Sequence, residues 1–245
     1  MTGWHQRRLA AFDTETTGVD VETDRIVTAA VVTIDPDAGA VNKREWLLDP
    51  GVDIPAEATA VHGITTEMAR TAGRPAADCV HEIRAALWQA SAAGATVIVY
   101  NAPYDLTLLD RECARHDFVG LGPVGSPTSP IRAVVDPLCL DKKFDKYRKG
   151  SRKLVAVAKH YGIVLSELDA HGAAADALAS ARVAWKLARV YPEIGAASVD
   201  ELHAAQVGWF RTQAQGLAEY FAKQGKTEQV STEWPVRPAR AEVTQ

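Results

Sequence analysis

"LAAFDTETTGVD", residues 9–20, opens with four core-type residues and then carries Asp13 and Glu15 two positions apart. On a β-strand successive side chains point to opposite faces, so Asp13 and Glu15 share one face about 7 Å apart while Phe12 and Thr14 share the other. Two carboxylates aimed at one spot repel, and without a positive charge between them at least one holds a proton. A strand fraying into a polar turn is the other reading, since Thr16, Thr17 and Gly18 follow and glycine is a common turn residue. The rest of the chain has to separate the two.

Two more β-rich runs follow at 26–34 and 43–48, divided by the turn-forming "DPDAGAVN", which is the pattern of a meander. An Ala-rich amphipathic helix is predicted at 77–91, with Val80, Ile83, Leu87 and Trp88 at helical spacing. A short strand at 96–100, a helix at 104–116 and a strand ending at Asp136 come next, then helices at 151–161, 172–190 and 198–221. Strands first, then strands alternating with helices, predict an α/β fold: a mixed sheet with an antiparallel meander and parallel strands, flanked by helices. The Gly- and Pro-rich stretch 120–130 reads as a surface loop. We expect one main domain over 1–195, a C-terminal helix over 196–223 and a flexible polar tail over 224–245.

With 47% hydrophobic and 24% charged residues, the 245-residue chain falls among ordinary globular proteins able to bury a core. Its net charge of −4 does not mark a general nucleic-acid binder, so phosphate contacts would need a local basic patch. Cys79, Cys113 and Cys139 are odd in number and form no C-x-x-C pair, against a disulfide framework or a structural zinc site. Residues 1–8 lack the apolar run of a secretory leader, and the longest apolar stretch, "IVTAAVVTI", is about half of what a bilayer crossing needs. These features lead us to expect a cytoplasmic protein with no membrane contact.

Further acids stand at informative places. Asp105 follows the apolar "TVIVY" in "YNAPYD", at the predicted start of a helix. There it can complement the helix dipole as a cap, or stand outside the carboxyl end of a strand, where ligands of open α/β sheets gather. In "DAHGAAADALASARVAWKLA", His171 precedes a helix bearing Asp176, with four residues between them. Taken singly, His171 reads as a loop histidine and Asp176 as an early-helix acid. The small residues of that helix would let its start approach a sheet closely.

In order, "FDTETTG", "VHGI", "NAPYD" and "HGAAAD" resemble the motifs of the DEDD family of 3′ to 5′ exonucleases, in its histidine subgroup. The likeness covers roughly residues 9–190, and the pattern is similar to that of the proofreading epsilon subunits of bacterial DNA polymerase III and their stand-alone cousins. The resemblance implies a ribonuclease H-like fold, with Asp13, Glu15, Asp105 and Asp176 as ligands of two divalent cations, Mg²⁺ or Mn²⁺. It implies His171 as general base, and a histidine near its ordinary pKa of about 6.5 suits proton removal from water at neutral pH. Two hard cations flanking a phosphate call for carboxylate oxygens, which would account for the paired acids of the opening stretch. A tyrosine subgroup carries Y-x-x-x-D at the last motif, and His171 with four intervening residues favours the histidine form.

The resemblance further implies that Thr16, Thr17, Glu57 and His62 hold the terminal nucleotide, with Ile64 as an apolar wedge against a base and Asn101 fixing the loop before Asp105. Thr65, Thr66 and Glu67 also suit a plain helix start. The basic run "KKFDKYRKGSRK" at 142–153 reads either as a solvated face or as a phosphate track through Arg148, Arg152 and Lys153. Aromatics of the last helix, Trp209, Phe210, Tyr220 and Phe221, could pack in a core or dock a polymerase or clamp. The expected function is metal-dependent 3′ to 5′ hydrolysis of single-stranded or frayed DNA ends, releasing nucleoside 5′-monophosphates in proofreading or repair. RNA 3′-end trimming and a non-catalytic polymerase subunit are the alternatives.

Overall fold

A computed structural model describes residues 3–126, 128–164 and 172–239. In chain order, a short 3-10 turn (Trp4–Gln6) precedes β1 (Leu9–Thr16), β2 (Ile26–Asp35), β3 (Ala40–Asp49), α1 (Ala56–His62), α2 (Thr66–Ala72), β4 (Arg74–Pro75) and α3 (Ala76–Ala92). Then come β5 (Thr96–Ile98), α4 (Ala102–Arg115), β6 (Val134–Val135), α5 (Pro137–Phe144), α6 (Leu154–His160), α7 (Ala173–Val190), α8 (Pro192–Ala196) and α9 (Val199–Lys223). The six strands form one sheet in the order β4-β3-β2-β1-β5-β6. β1 to β3 are an antiparallel meander, while β5 and β6 run parallel to β1. This is the mixed α/β sheet that the sequence predicts, with strand and helix ends moved by a few residues.

The register gives each face of β1 its own task. Leu9 and Ala11 pack with Ala30, Val32 and the α7 residues Ala173, Ala174, Ala177, Ala181 and Ala184. Phe12 packs on the other face, with Ile83 and Leu87 of α3 and Leu106 and Leu109 of α4. Because side chains alternate, Asp13 and Glu15 continue the face that meets α7 while Thr14 continues the face that meets α4. The alanines of α7 remove the bulk that would otherwise hold its acid-bearing first turn away from the sheet. β1 pairs as Asp13↔Ala30 and Glu15↔Thr28, and the register shifts between Glu15 and Thr16 as the chain leaves the ladder.

The loop between β1 and β2 is held rigidly. Arg25 makes a bidentate pair with the buried Glu112 of α4 at 2.8 and 3.1 Å, and Arg111 reaches Glu22 at 2.8 Å. Gly18 is needed for close approach: a Cβ there would stand 2.6 Å from both carboxylate oxygens of Asp24. Asp24 in turn accepts from the Thr17 hydroxyl at 2.7 Å and from the Asp20 amide at 2.7 Å.

The C-terminal segment departs from the flexible tail expected after residue 223. Trp234 is 6% exposed, its ring 4.8 Å from His203 of α9. The Arg237 amide donates to Thr107 Oγ1 at 2.9 Å, and Arg111 donates to the carbonyls of Arg237 and Pro238. One buried tryptophan and three backbone hydrogen bonds offset the ordering entropy of a short polar strap, which composition alone does not register. The three cysteines are free and buried. Among the described residues, no helix is long and apolar enough to cross a membrane.

Candidate active site

At the carboxyl end of β1, oxygens of Asp13, Glu15 and Asp176 lie within 4.8 Å of one another. Asp13 and Glu15 come from the α7-facing side of the strand, and Asp176 from the first turn of α7. Asp105, on the first turn of α4, is buried beside them, and its Oδ1 accepts from the Thr14 amide at 3.0 Å and the Thr14 hydroxyl at 2.6 Å. Four predicted carboxylates therefore line one cleft of about 540 Å³. His171 lies outside the described residues; Gly172, next in the chain, caps the helix that carries Asp176.

Three of the acids are pushed toward their protonated forms. Burial, followed by the charges of Asp105, Asp176 and Glu15, pushes the Asp13 carboxyl well above its ordinary range. Burial, then Asp176 and Asp105, raises Glu15 to about 7. Burial likewise raises Asp105 to about 7, against the lowering effect of the Thr14 hydrogen bonds. A converging set of hard oxygen donors that resist ionising together fits a divalent cation, whose charge would remove both penalties.

The cleft has a cationic wall. Lys142 of α5 and Lys153 before α6 line it together with the acids, as does Arg152. Lys153 is where the sequence predicts a phosphate contact. Arg148 and Arg152, predicted alongside it, direct their charge inward instead: both guanidinium groups pair with Asp141, whose side chain is fully buried. Arg152 also donates to the Asp145 carbonyl at 2.6 Å. The two arginines thus close the 145–153 loop around one buried carboxylate.

The side chains of the predicted nucleotide-holding residues have unequal freedom, and among them Asn101 lines the cleft. Thr17 Oγ1 is used within its loop, donating to Asp24 and accepting from the Arg25 amide at 3.0 Å. Thr16 Oγ1 donates to the Gly18 carbonyl and meets the Tyr104 hydroxyl, both at 2.7 Å. His62 is buried at the end of α1, its Nδ1 accepting from the Ile64 amide at 3.1 Å, and burial lowers its pKa. Ile64 packs partly against Val27, Ile54 and Ala69, and Glu57 is exposed on the first turn of α1. Thr65 caps α2 through the Met68 amide, so the helix-start reading of that stretch also holds. Asn101 adopts a left-handed conformation at φ 62°, and its exposed side chain lines the cleft.

Two positioning residues escape the sequence reading. Asp136 is buried and accepts from the amides of Asn101 and Ala102 at 3.0 Å, and from Leu138 at 2.9 Å, so one carboxylate anchors the turn before α4 and caps α5. Tyr104 lines the cleft and bonds the loop after β1 through Thr16 and the Gly18 carbonyl. Their signals were visible as an acid ending a predicted strand before proline and a tyrosine adjoining Asp105, but neither pattern specifies its distant partner.

A mixed sheet with carboxylates gathered at the carboxyl end of a central strand defines the ribonuclease H-like class of nuclease folds. The Exonuclease family model (RNase_T) matches residues 10–184, and the chain belongs to that family. A DNA polymerase III subunit epsilon-like protein of Rhodobacter capsulatus is 40% identical over 112 residues, 42% of this chain and 14% of that protein. The PolC-type DNA polymerase III of Lacticaseibacillus paracasei is 29% identical over 176 residues, 72% of this chain and 11% of that protein. Among solved structures, exonuclease I superimposes with a TM-score of 0.64 at 22% identity, over 77% of this chain and 42% of that one. Escherichia coli exonuclease I in complex with a dA16 oligonucleotide gives 0.64 at 18% identity, over 87% and 45%. The chain thus spans about a seventh or less of these curated relatives and under half of these solved chains.

Proposed function

We propose that this chain is a divalent-metal-dependent 3′ to 5′ exonuclease that releases nucleoside 5′-monophosphates from single-stranded or frayed DNA ends, in proofreading or repair. The observation that carries this reading is the convergence of Asp13, Glu15 and Asp176 oxygens within 4.8 Å, in a cleft faced by lysines. Asp13, Glu15, Asp105 and Asp176 would hold two Mg²⁺ or Mn²⁺ ions. When bound, such ions neutralise phosphate charge and favour attack by water in an in-line displacement.

The chain's own groups do the rest. Thr14 keeps Asp105 aimed at the cleft, and Asp136 keeps the turn before it in place. Lys142 and Lys153 draw the phosphate toward the acids. Thr16 and Thr17 border the terminal nucleotide, with Glu57, His62, Ile64 and Asn101 completing its surroundings. His171 takes the proton from the attacking water. Relatives named as polymerase III proteins support a DNA substrate and association with a polymerase, and three buried thiols fit the reducing cytoplasm.

The test is cleavage of matched 5′-labelled single-stranded DNA and RNA with Mg²⁺ or Mn²⁺, beside Asp13→Ala. A ladder shortening from the 3′ end on DNA, absent from the variant, is expected. A ladder on RNA alone would replace DNA processing with RNA trimming, and no ladder on either would refute catalysis.

A further inference from the structure

Beside the cleft lies a larger groove of about 980 Å³, walled by α5, α9 and residues 229–237. Asn101 and Lys142 line both depressions, so the groove runs directly out of the cleft. α9 and the strap lie beyond residue 184, where the family match ends, so two of its three walls are additions to the matched region.

The groove's chemistry is that of a polyanion site with stacking surfaces. Lys142, Lys143, Lys146 and Arg237 face one lining acid, Glu219, a local positive excess in a chain of net charge −4. Tyr220 is 57% exposed and Leu217 42% exposed on the α9 wall. Lys143 Nζ stands 5.5 Å from the centre of the half-buried Trp209 ring, which places an ammonium and an aromatic side by side. Cations interleaved with exposed aromatics are how proteins hold single strands without reading their sequence.

We infer that this groove is the track for the single strand upstream of the scissile bond, carrying the nucleotides on the 5′ side away from the cleft. Its direction rests on the exonuclease reading: with a 3′ end among the acids, the rest of the strand leaves by an adjoining surface, and this one is continuous and cationic. Charge complementarity favours a polyphosphate strand over an apolar peptide or a second copy of this chain.

The experiment compares the full chain with Lys143→Ala/Lys146→Ala/Tyr220→Ala, three exposed positions outside the acid cleft. Anisotropy of fluorescein-labelled dT16 is followed in EDTA across a salt series, and in parallel Mn²⁺-dependent hydrolysis of the p-nitrophenyl ester of thymidine 5′-monophosphate, which cannot reach the groove. The variant is expected to bind dT16 at least tenfold more weakly, with its log–log salt slope flatter by roughly 1.4 for two lost phosphate contacts, while ester hydrolysis stays unchanged. Wild-type affinity is expected to rise from dT4 to dT16. Unchanged dT16 affinity and slope in the variant would overturn the track whether or not the ester is cleaved. A wild-type chain that binds dT16 through these residues yet leaves the ester intact would keep the track and sink the catalytic reading instead. Loss of a concentration-dependent dimer in the variant, with dT16 binding intact, would assign the groove to a second copy and refute the inference.

Discussion

Glu15→Gln should make the metal-free protein more stable at pH 8 while abolishing its response to metal. In the folded chain the Glu15 carboxyl is raised from 4.5 to about 7. As pH climbs from 4.5 to 7, the unfolded chain gives up this proton while the folded chain keeps it, so the unfolded state is increasingly favoured and stability falls. Below 4.5 both states are protonated and the term vanishes; above 7 both are ionised and the full penalty stands. A rise of that size corresponds to about 3 kcal/mol, and solvent screening of a partly exposed side chain reduces it to about 2 kcal/mol. For a chain of this length that is a melting difference of about 6 °C. The assay is urea or thermal unfolding in EDTA at pH 5, 6, 7 and 8, for wild type and variant. The variant should gain on wild type across this window, and saturating Mn²⁺ should restore wild type while leaving the variant unmoved. A difference between the two proteins that stays constant from pH 5 to 8, or that favours wild type at pH 8 without metal, would refute the account of a mutually repelling cluster.

Other outcomes follow from the same geometry. Asp13→Ala or EDTA should reduce cleavage of labelled DNA to background, and a variant with full rate would remove Asp13 from the metal site. His171→Ala should lower turnover by about 10²- to 10⁴-fold; a near-normal rate would mean that it is not the base. Arg148→Ala should destabilise the fold by about 2 kcal/mol by removing one of the two arginines that pair the fully buried Asp141, measured by denaturant melts, whereas an exposed phosphate-binding arginine would leave stability within about 0.5 kcal/mol. Trp234→Ala should cost roughly 3 kcal/mol and expose 230–238 to limited proteolysis; an unaltered digest would refute the docked strap.

Local pattern carried much of this protein. The alternation of core residues and acids in β1 is legible because a strand has a period of two, and the periodicity of the long helices α3, α4, α7 and α9 because each buries an apolar stripe. Asp13 and Glu15 stood out because charged residues interrupting a core strand conflict with burial, whereas Asp105 and Asp176 read singly as helix-start acids and were singled out by the likeness of "NAPYD" and "HGAAAD" to exonuclease motifs. α1, α2 and α5, at seven or eight residues each, are too short to show a period, and β4 has only two residues in its ladder. The roles of Arg148, Arg152, Asp136 and Trp234 depend on partners that the sequence does not reveal: Asp141 for the arginines, the turn at Asn101 for Asp136, and His203 for the tryptophan. A basic run looks the same whether its cations face water or a buried carboxylate, and a polar tail looks the same until one aromatic finds a pocket. By itself, then, the sequence determined the fold class, because strand and helix periods act on neighbours along the chain, and it pointed to the four acids through a likeness of motifs. Only the tertiary structure decided which cations remain available to a phosphate and where the strap lies, because these depend on contacts across the fold, between residues up to 130 positions apart.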